Sequence, residues 1–86
     1  MKIEYGLKAS AELGALPKDI QSRIIRKMRF YAEQTDPLMF AKRLRRNDLF
    51  RFRAGDYRII FKVEDQIIYI ITVKRRDRAY KDLDLD

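Results

Sequence analysis

The clearest polarity pattern in the chain lies between residues 49 and 63. Leu49, Arg51 and Arg53 alternate with Phe50, Phe52 and Ala54, a period of two that puts the two sets on opposite faces of a strand. Gly55-Asp56 supplies a turn, because glycine takes a positive φ without steric cost, and Tyr57 to Val63 resumes as a second β-rich run. The pattern predicts a hairpin in which Ala54 faces Tyr57 and Arg53 lies across from Arg58. Arg51 falls one pair further along on the same face. Phe50, Phe52, Tyr57, Ile59 and Phe61 form the apolar side and are expected in the core.

Upstream, residues 2–7 alternate Ile3 and Tyr5 with Lys2 and Glu4, which predicts a short strand that Gly6 ends. Ala9, Leu13 and Leu16 recur at spacings of four and three, the apolar stripe of a short helix over residues 8–16. Pro17, favoured at a first helical position, and Asp19, suited to the positive end of the helix dipole, start a second helix that runs to about Gln34. Ile20, Ile24, Met28 and Tyr31 form its stripe, widened by Ile25 and Ala32. Thr35-Asp36-Pro37 stops it, since the residue before a proline is pushed out of the helical region. Residues 38–48 read as a basic connector closed by an Asn47-Asp48 turn. Glu64-Asp65 makes a second turn, and Gln66 to Lys74, with Ile67, Ile68, Ile70, Ile71 and Val73, has the nearly continuous apolar character of a central strand. Residues 79–83 are expected to form a short C-terminal helix. The expected architecture is α+β: one domain over residues 1–86, with the helical hairpin on one face of an antiparallel sheet. The first strand lies at an edge or in the middle. The other face is expected to stay open and to carry Arg51, Arg53, Arg58 and Lys62.

Composition narrows the chemistry. The chain has 86 residues, ten of them aromatic, and 47% hydrophobic content, which fits a small folded globule. It contains neither cysteine nor histidine, which excludes disulfides, thiolate chemistry, the usual zinc sites and any Ser-His or Cys-His nucleophile. No metal or cofactor is expected. No apolar run approaches the about 20 residues of a membrane span, and the N-terminal residues lack the apolar core of a signal peptide, so the expected location is cytoplasmic. Twenty basic residues against 13 acidic ones give a net charge of +7. Residues 41–81 hold 13 of the basic side chains and only 5 acidic ones. Arginine, whose planar fork grips phosphate, dominates the set, so nucleic acid is the expected partner. Facing arginines destabilise a sheet by a few tenths to about 1 kcal/mol per pair, which points to an anion held between them.

In these motifs the chain resembles the RelE/ParE superfamily of toxins from toxin-antitoxin systems. The likeness covers nearly the whole chain and is carried by Leu16-Pro17-Lys18, by the run Arg51-Phe52-Arg53-Ala54-Gly55-Asp56-Tyr57-Arg58-Ile59-Ile60-Phe61, and by Val73-Lys74-Arg75-Arg76-Asp77-Arg78-Ala79-Tyr80. It implies a ribosome-dependent, metal-independent mRNA endonuclease silenced by a cognate acidic antitoxin. Arg58 falls on the arginine that contacts the scissile phosphate, Arg76 on the arginine of the last-strand motif, and Tyr80 on the tyrosine that stacks on an mRNA base. RelE-like members keep that tyrosine; ParE-like members, which poison DNA gyrase, generally lack it. Arg51 and Arg53 stand where RelE has a Lys-x-Lys pair, and arginine, with a pKa above about 12, does not serve as a base.

The implied reaction is attack of a 2′-hydroxyl on the adjacent phosphorus, leaving a 2′,3′-cyclic phosphate and a 5′-hydroxyl. Arg53, Arg58 and Arg76 supply charge stabilisation and Tyr80 orients the base. Proton transfer falls to Tyr80, to Asp77, or to no strong base at all. Arg51, Lys62, Arg75, Arg78, Arg43, Arg45 and Arg46 are expected to position RNA through its phosphates. The alternatives are a ParE-like gyrase inhibitor on the same scaffold and a non-catalytic nucleic-acid-binding module.

Overall fold

A computed structural model of the chain describes residues 1–44 and 48–77. Its elements run β1 (Lys2–Tyr5), α1 (Leu7–Gly14), α2 (Lys18–Ala32), a 3-10 turn (Pro37–Phe40), β2 (Lys42–Arg43), β3 (Phe50–Ala54), β4 (Tyr57–Glu64) and β5 (Ile67–Arg75). One sheet joins the strands in the order β1-β5-β4-β3-β2. The isoleucine-rich β5 thus has neighbours on both sides, as its apolar run predicts. The pairs β2–β3, β3–β4 and β4–β5 are antiparallel, but β1 runs parallel to β5, from Lys2 opposite Ile67 to Tyr5 opposite Ile70. The sheet is therefore mixed rather than antiparallel, with β1 at its edge. Alternation in a short strand reads the same in either direction, and a parallel pair has no turn to announce it. The expected C-terminal helix at residues 79–83 lies outside the described residues.

The helices form where the apolar stripes place them. Pro17 stands just before α2 in an extended conformation (φ −56, ψ 148) rather than inside its first turn. Asp19 in the first turn of α2 and Arg29 in the last both complement the helix dipole. Ala9 and Leu13 of α1 and Ile24, Met28 and Tyr31 of α2 bury against Phe52, Ile59, Phe61, Ile68, Ile70 and Val73. Ile25 does not join the stripe and stays exposed. Tyr31, Phe52 and Phe61 stack successively, with ring centroids 4.3 and 4.2 Å apart, and fasten the β3–β4 hairpin to α2.

The second sheet face departs from expectation. It is not an open cationic surface: Ile60, Thr72 and Leu44 are buried there, and Arg51 and Arg58 with them. Arg51 shares a rung with Ile60 and Thr72, so the middle of this face is buried and partly apolar, and long arginine stems suit such surroundings. The connector also holds more structure than expected, since Lys42 and Arg43 pair with Arg51 and Phe50. The β4–β5 turn is Asp65-Gln66, one residue later than expected, and both residues take positive φ (51 and 64).

Candidate nucleic-acid interface

The β3–β4 hairpin has the predicted register: Ala54 pairs with Tyr57 and Arg53 with Arg58 across the turn at Gly55, whose φ is 59. A positive φ at the first of two loop residues is the pattern that demands glycine there. On its far side β4 sets Arg58 opposite Lys74 of β5. Arg53, Arg58 and Lys74 therefore form one cationic rung across three strands, each about 5 Å from the next along the hydrogen-bonding direction. The Arg76 amide donates to the Asp56 carbonyl at 2.8 Å, tying the end of β5 to the hairpin turn. This bond brings Arg76 beside the rung, whereas Arg75, opposite Tyr57, is on the other face of β5; a cavity of about 400 Å³ at this end is lined by Asp56, Arg75, Arg76 and Asp77.

Burial divides these cations. Arg53, Arg75 and Arg76 are exposed, whereas Arg58 is 1% exposed and Arg51 8%. In this arrangement the exposed arginines can meet a phosphate directly, and Arg58 acts from beneath through its field, which is screened less where water is excluded. The Tyr31 hydroxyl donates to the Arg53 carbonyl at 3.0 Å. Burial pushes that hydroxyl above its ordinary range against the opposing charge of Arg53, so it stays protonated at neutral pH.

Two members of the cluster are not apparent in the sequence pattern. Lys74 looks like one more strand residue until the register puts it beside Arg58. Glu12, on α1, reaches the free edge of β5 beyond the end of β1. Its Oε1 accepts from the Thr72 hydroxyl (2.6 Å) and the Val73 amide (2.9 Å), and its Oε2 pairs with Lys74 Nζ at 3.0 Å. Burial alone would raise the Glu12 carboxyl, but these three donors outweigh it and hold the group below its ordinary value. A carboxylate so satisfied is a poor proton acceptor, and its part is to fix the Lys74 ammonium.

Other expected contacts lie apart. Lys62 is on the same face of β4 but about 13 Å along the strand from Arg58; it pairs with Glu64 at 2.9 Å and lies over the Tyr69 ring. Arg43 pairs with Asp48 at 3.0 Å on the far edge strand, opposite Phe50 and so on the other face from Arg51. Arg45, Arg46, Arg78 and Tyr80 lie outside the described residues. Among the described residues, no three carboxylates gather to hold a metal ion, and no helix is long and apolar enough to cross a membrane.

Comparison with known proteins agrees with this architecture. No curated protein sequence matches the chain. Its fold is similar to the RelBE2 toxin-antitoxin complex of Mycobacterium tuberculosis, with a TM-score of 0.72 and 26% identity over 87% of this chain and 90% of that one. It is similar to the RelE–RelB complex of Pyrococcus horikoshii, with a TM-score of 0.69 and 27% identity over 90% and 96% of the two chains. The intact RelBE complex of E. coli shares the fold at 19% identity, with a TM-score of 0.68 over 86% and 94% of the two chains. The family model described as the ParE toxin of the type II toxin-antitoxin system parDE matches residues 3–80. With the family matched along nearly its full length, the chain belongs to the RelE/ParE toxin superfamily of type II toxin-antitoxin systems.

Proposed function

We propose that this toxin is a ribosome-dependent mRNA endonuclease of the RelE kind. The observation that carries the reading is the cationic rung Arg53–Arg58–Lys74 with Arg76 bonded in beside it. Arg53 and Arg76 hold the non-bridging oxygens of the scissile phosphate, Arg58 adds positive potential from below, and Tyr80 stacks on a base to align the 2′-hydroxyl with the bond it breaks. The 2′-oxygen bonds to phosphorus as the bond to the 5′-oxygen breaks. The proton of the 2′-hydroxyl is lost and the 5′-oxygen gains one, both without metal. Glu12 is committed to Thr72, Val73 and Lys74, so charge stabilisation and orientation carry most of the rate.

A cognate acidic antitoxin is part of the same reading, since the similar solved structures are toxin-antitoxin complexes and a surface this basic suits an acidic covering segment. The second reading, a ParE-like gyrase poison, is favoured by the ParE family model. Induction followed by primer extension on cellular mRNA separates the two. The endonuclease reading expects breaks at ribosome-bound codons, reduced about 100- to 1,000-fold in Arg53→Ala and Arg76→Ala. Intact mRNA with a DNA-damage response overturns it in favour of gyrase.

A further inference from the structure

A cavity of about 490 Å³ is on the other side of the hairpin tip, between α2 and the β3–β4 turn, and is lined by Arg23, Arg26, Lys27, Phe30, Ala54 and Gly55. That volume is within the about 300–1,000 Å³ usual for small-ligand sites. Arg23, Arg26 and Lys27 stand at spacings of three and four on one helix face, where like charges repel and cost a few tenths of a kcal/mol per pair in an isolated helix. Among the described residues, neither Arg23 nor Arg26 has an ion-pair partner. Phe30 follows at the next turn, 46% exposed, with Lys27 Nζ 5.4 Å from its ring centroid. Phe40 meets the Phe30 ring edge-on at 6.0 Å and steadies it. Opposite, Gly55 presents bare backbone, and nothing lies within 4 Å of where a side chain would begin.

We infer that this cavity is a second RNA subsite, taking one unpaired nucleotide whose base stacks on Phe30 and whose flanking phosphates meet Arg23, Arg26 and Lys27. Arg23 and Phe30 are about 10 Å apart along the helix axis, room for one stacked base with a neighbouring phosphate. An exposed aromatic face beside unpartnered cations is the arrangement that holds single strands without reading sequence. The cavity and the Arg53 rung meet where Ala54 leads into the Gly55-Asp56 turn, so a strand rounding the hairpin tip touches both. The inference takes its ligand class from the RNA-directed reading above.

The test is fluorescence anisotropy of purified toxin with a short labelled 2′-O-methyl RNA, which cannot be cleaved, alongside ribosome-dependent cleavage by the same variants. Phe30→Ala should weaken binding roughly 5- to 100-fold and Phe30→Tyr should preserve it. Arg26→Ala should weaken binding and reduce the slope of log affinity against log salt by about 0.7. Parental affinity in both Phe30→Ala and Arg26→Ala, or no binding by the parent toxin, overturns the subsite even if cleavage is robust. Weakened binding in both variants supports it even if the parent toxin makes no ribosome-positioned breaks, in which case the endonuclease reading alone falls. If Phe30→Ala loses the antitoxin but keeps its RNA affinity, the cavity belongs to an acidic peptide and the inference is wrong.

Discussion

Arg53 and Arg58 face each other in one rung yet occupy opposite environments, and substitution should separate them. Arg53→Ala removes an exposed side chain, so stability should stay within about 0.5 kcal/mol of the parent while cleavage collapses. Arg58→Ala empties a buried site and should cost about 2–4 kcal/mol as well as activity. Arg58→Met keeps most of the volume without the charge. Thermal melts should show Arg58→Met recovering much of that loss, and growth assays should show it non-toxic. A toxic Arg58→Met would mean that the buried charge contributes nothing to the reaction. Glu12 gives a pH-dependent counterpart. Its carboxyl titrates below the ordinary value of 4.5, so the stability it confers is full above that value and is lost as pH falls through the lower folded-state pKa. Glu12→Gln should be less stable than the parent by about 1–2 kcal/mol at neutral pH, with a shallower decline in Tm below about pH 4.5. Parallel acid curves for the two proteins would remove Glu12 as their source.

Among the elements, the two hairpins differ in how well their turns suit their backbones. The β3–β4 turn has glycine at its positive φ, but the β4–β5 turn places Asp65 and Gln66 in the left-handed region. Aspartate tolerates that region, whereas glutamine lacks the short polar side chain that eases it. Gln66→Gly should therefore raise stability by about 0.5 kcal/mol, the relief of strain exceeding the added chain entropy, and Tm by about 2–4 °C. An unchanged or lower Tm would show that the turn carries no such strain. These elements also show what sequence can convey. The β3–β4 register was legible because alternation and a single glycine turn specify it within twelve residues. The parallel pairing of β1 with β5 depends on segments more than sixty residues apart, and β2, two residues long, is too short to show a period. Alternation placed Arg51 and Arg58 on one face together, but it contains no information about what covers that face. The Glu12–Lys74 contact likewise follows no spacing rule, since it exists only once α1 has been laid along the edge of β5.

Across the molecule, positive charge is plentiful, but the fold leaves only part of it available to one ligand. Arg43 and Lys62 are paired with Asp48 and Glu64 and sit away from the rung, whereas Arg53 and Arg76 are exposed beside the hairpin turn. If about four cations neutralise phosphates, log affinity for single-stranded RNA should fall against log salt with a slope of about −3, or roughly 60-fold between 50 and 200 mM. Arg76→Ala should reduce that slope by about 0.7, and Lys62→Ala should leave it unchanged although both substitutions remove one positive charge. That contrast separates a built interface from a merely basic surface. A titration of anisotropy against salt for the three proteins measures it directly, and equal effects of the two substitutions would mean that RNA responds to net charge alone rather than to the cluster that β3, β4 and β5 assemble.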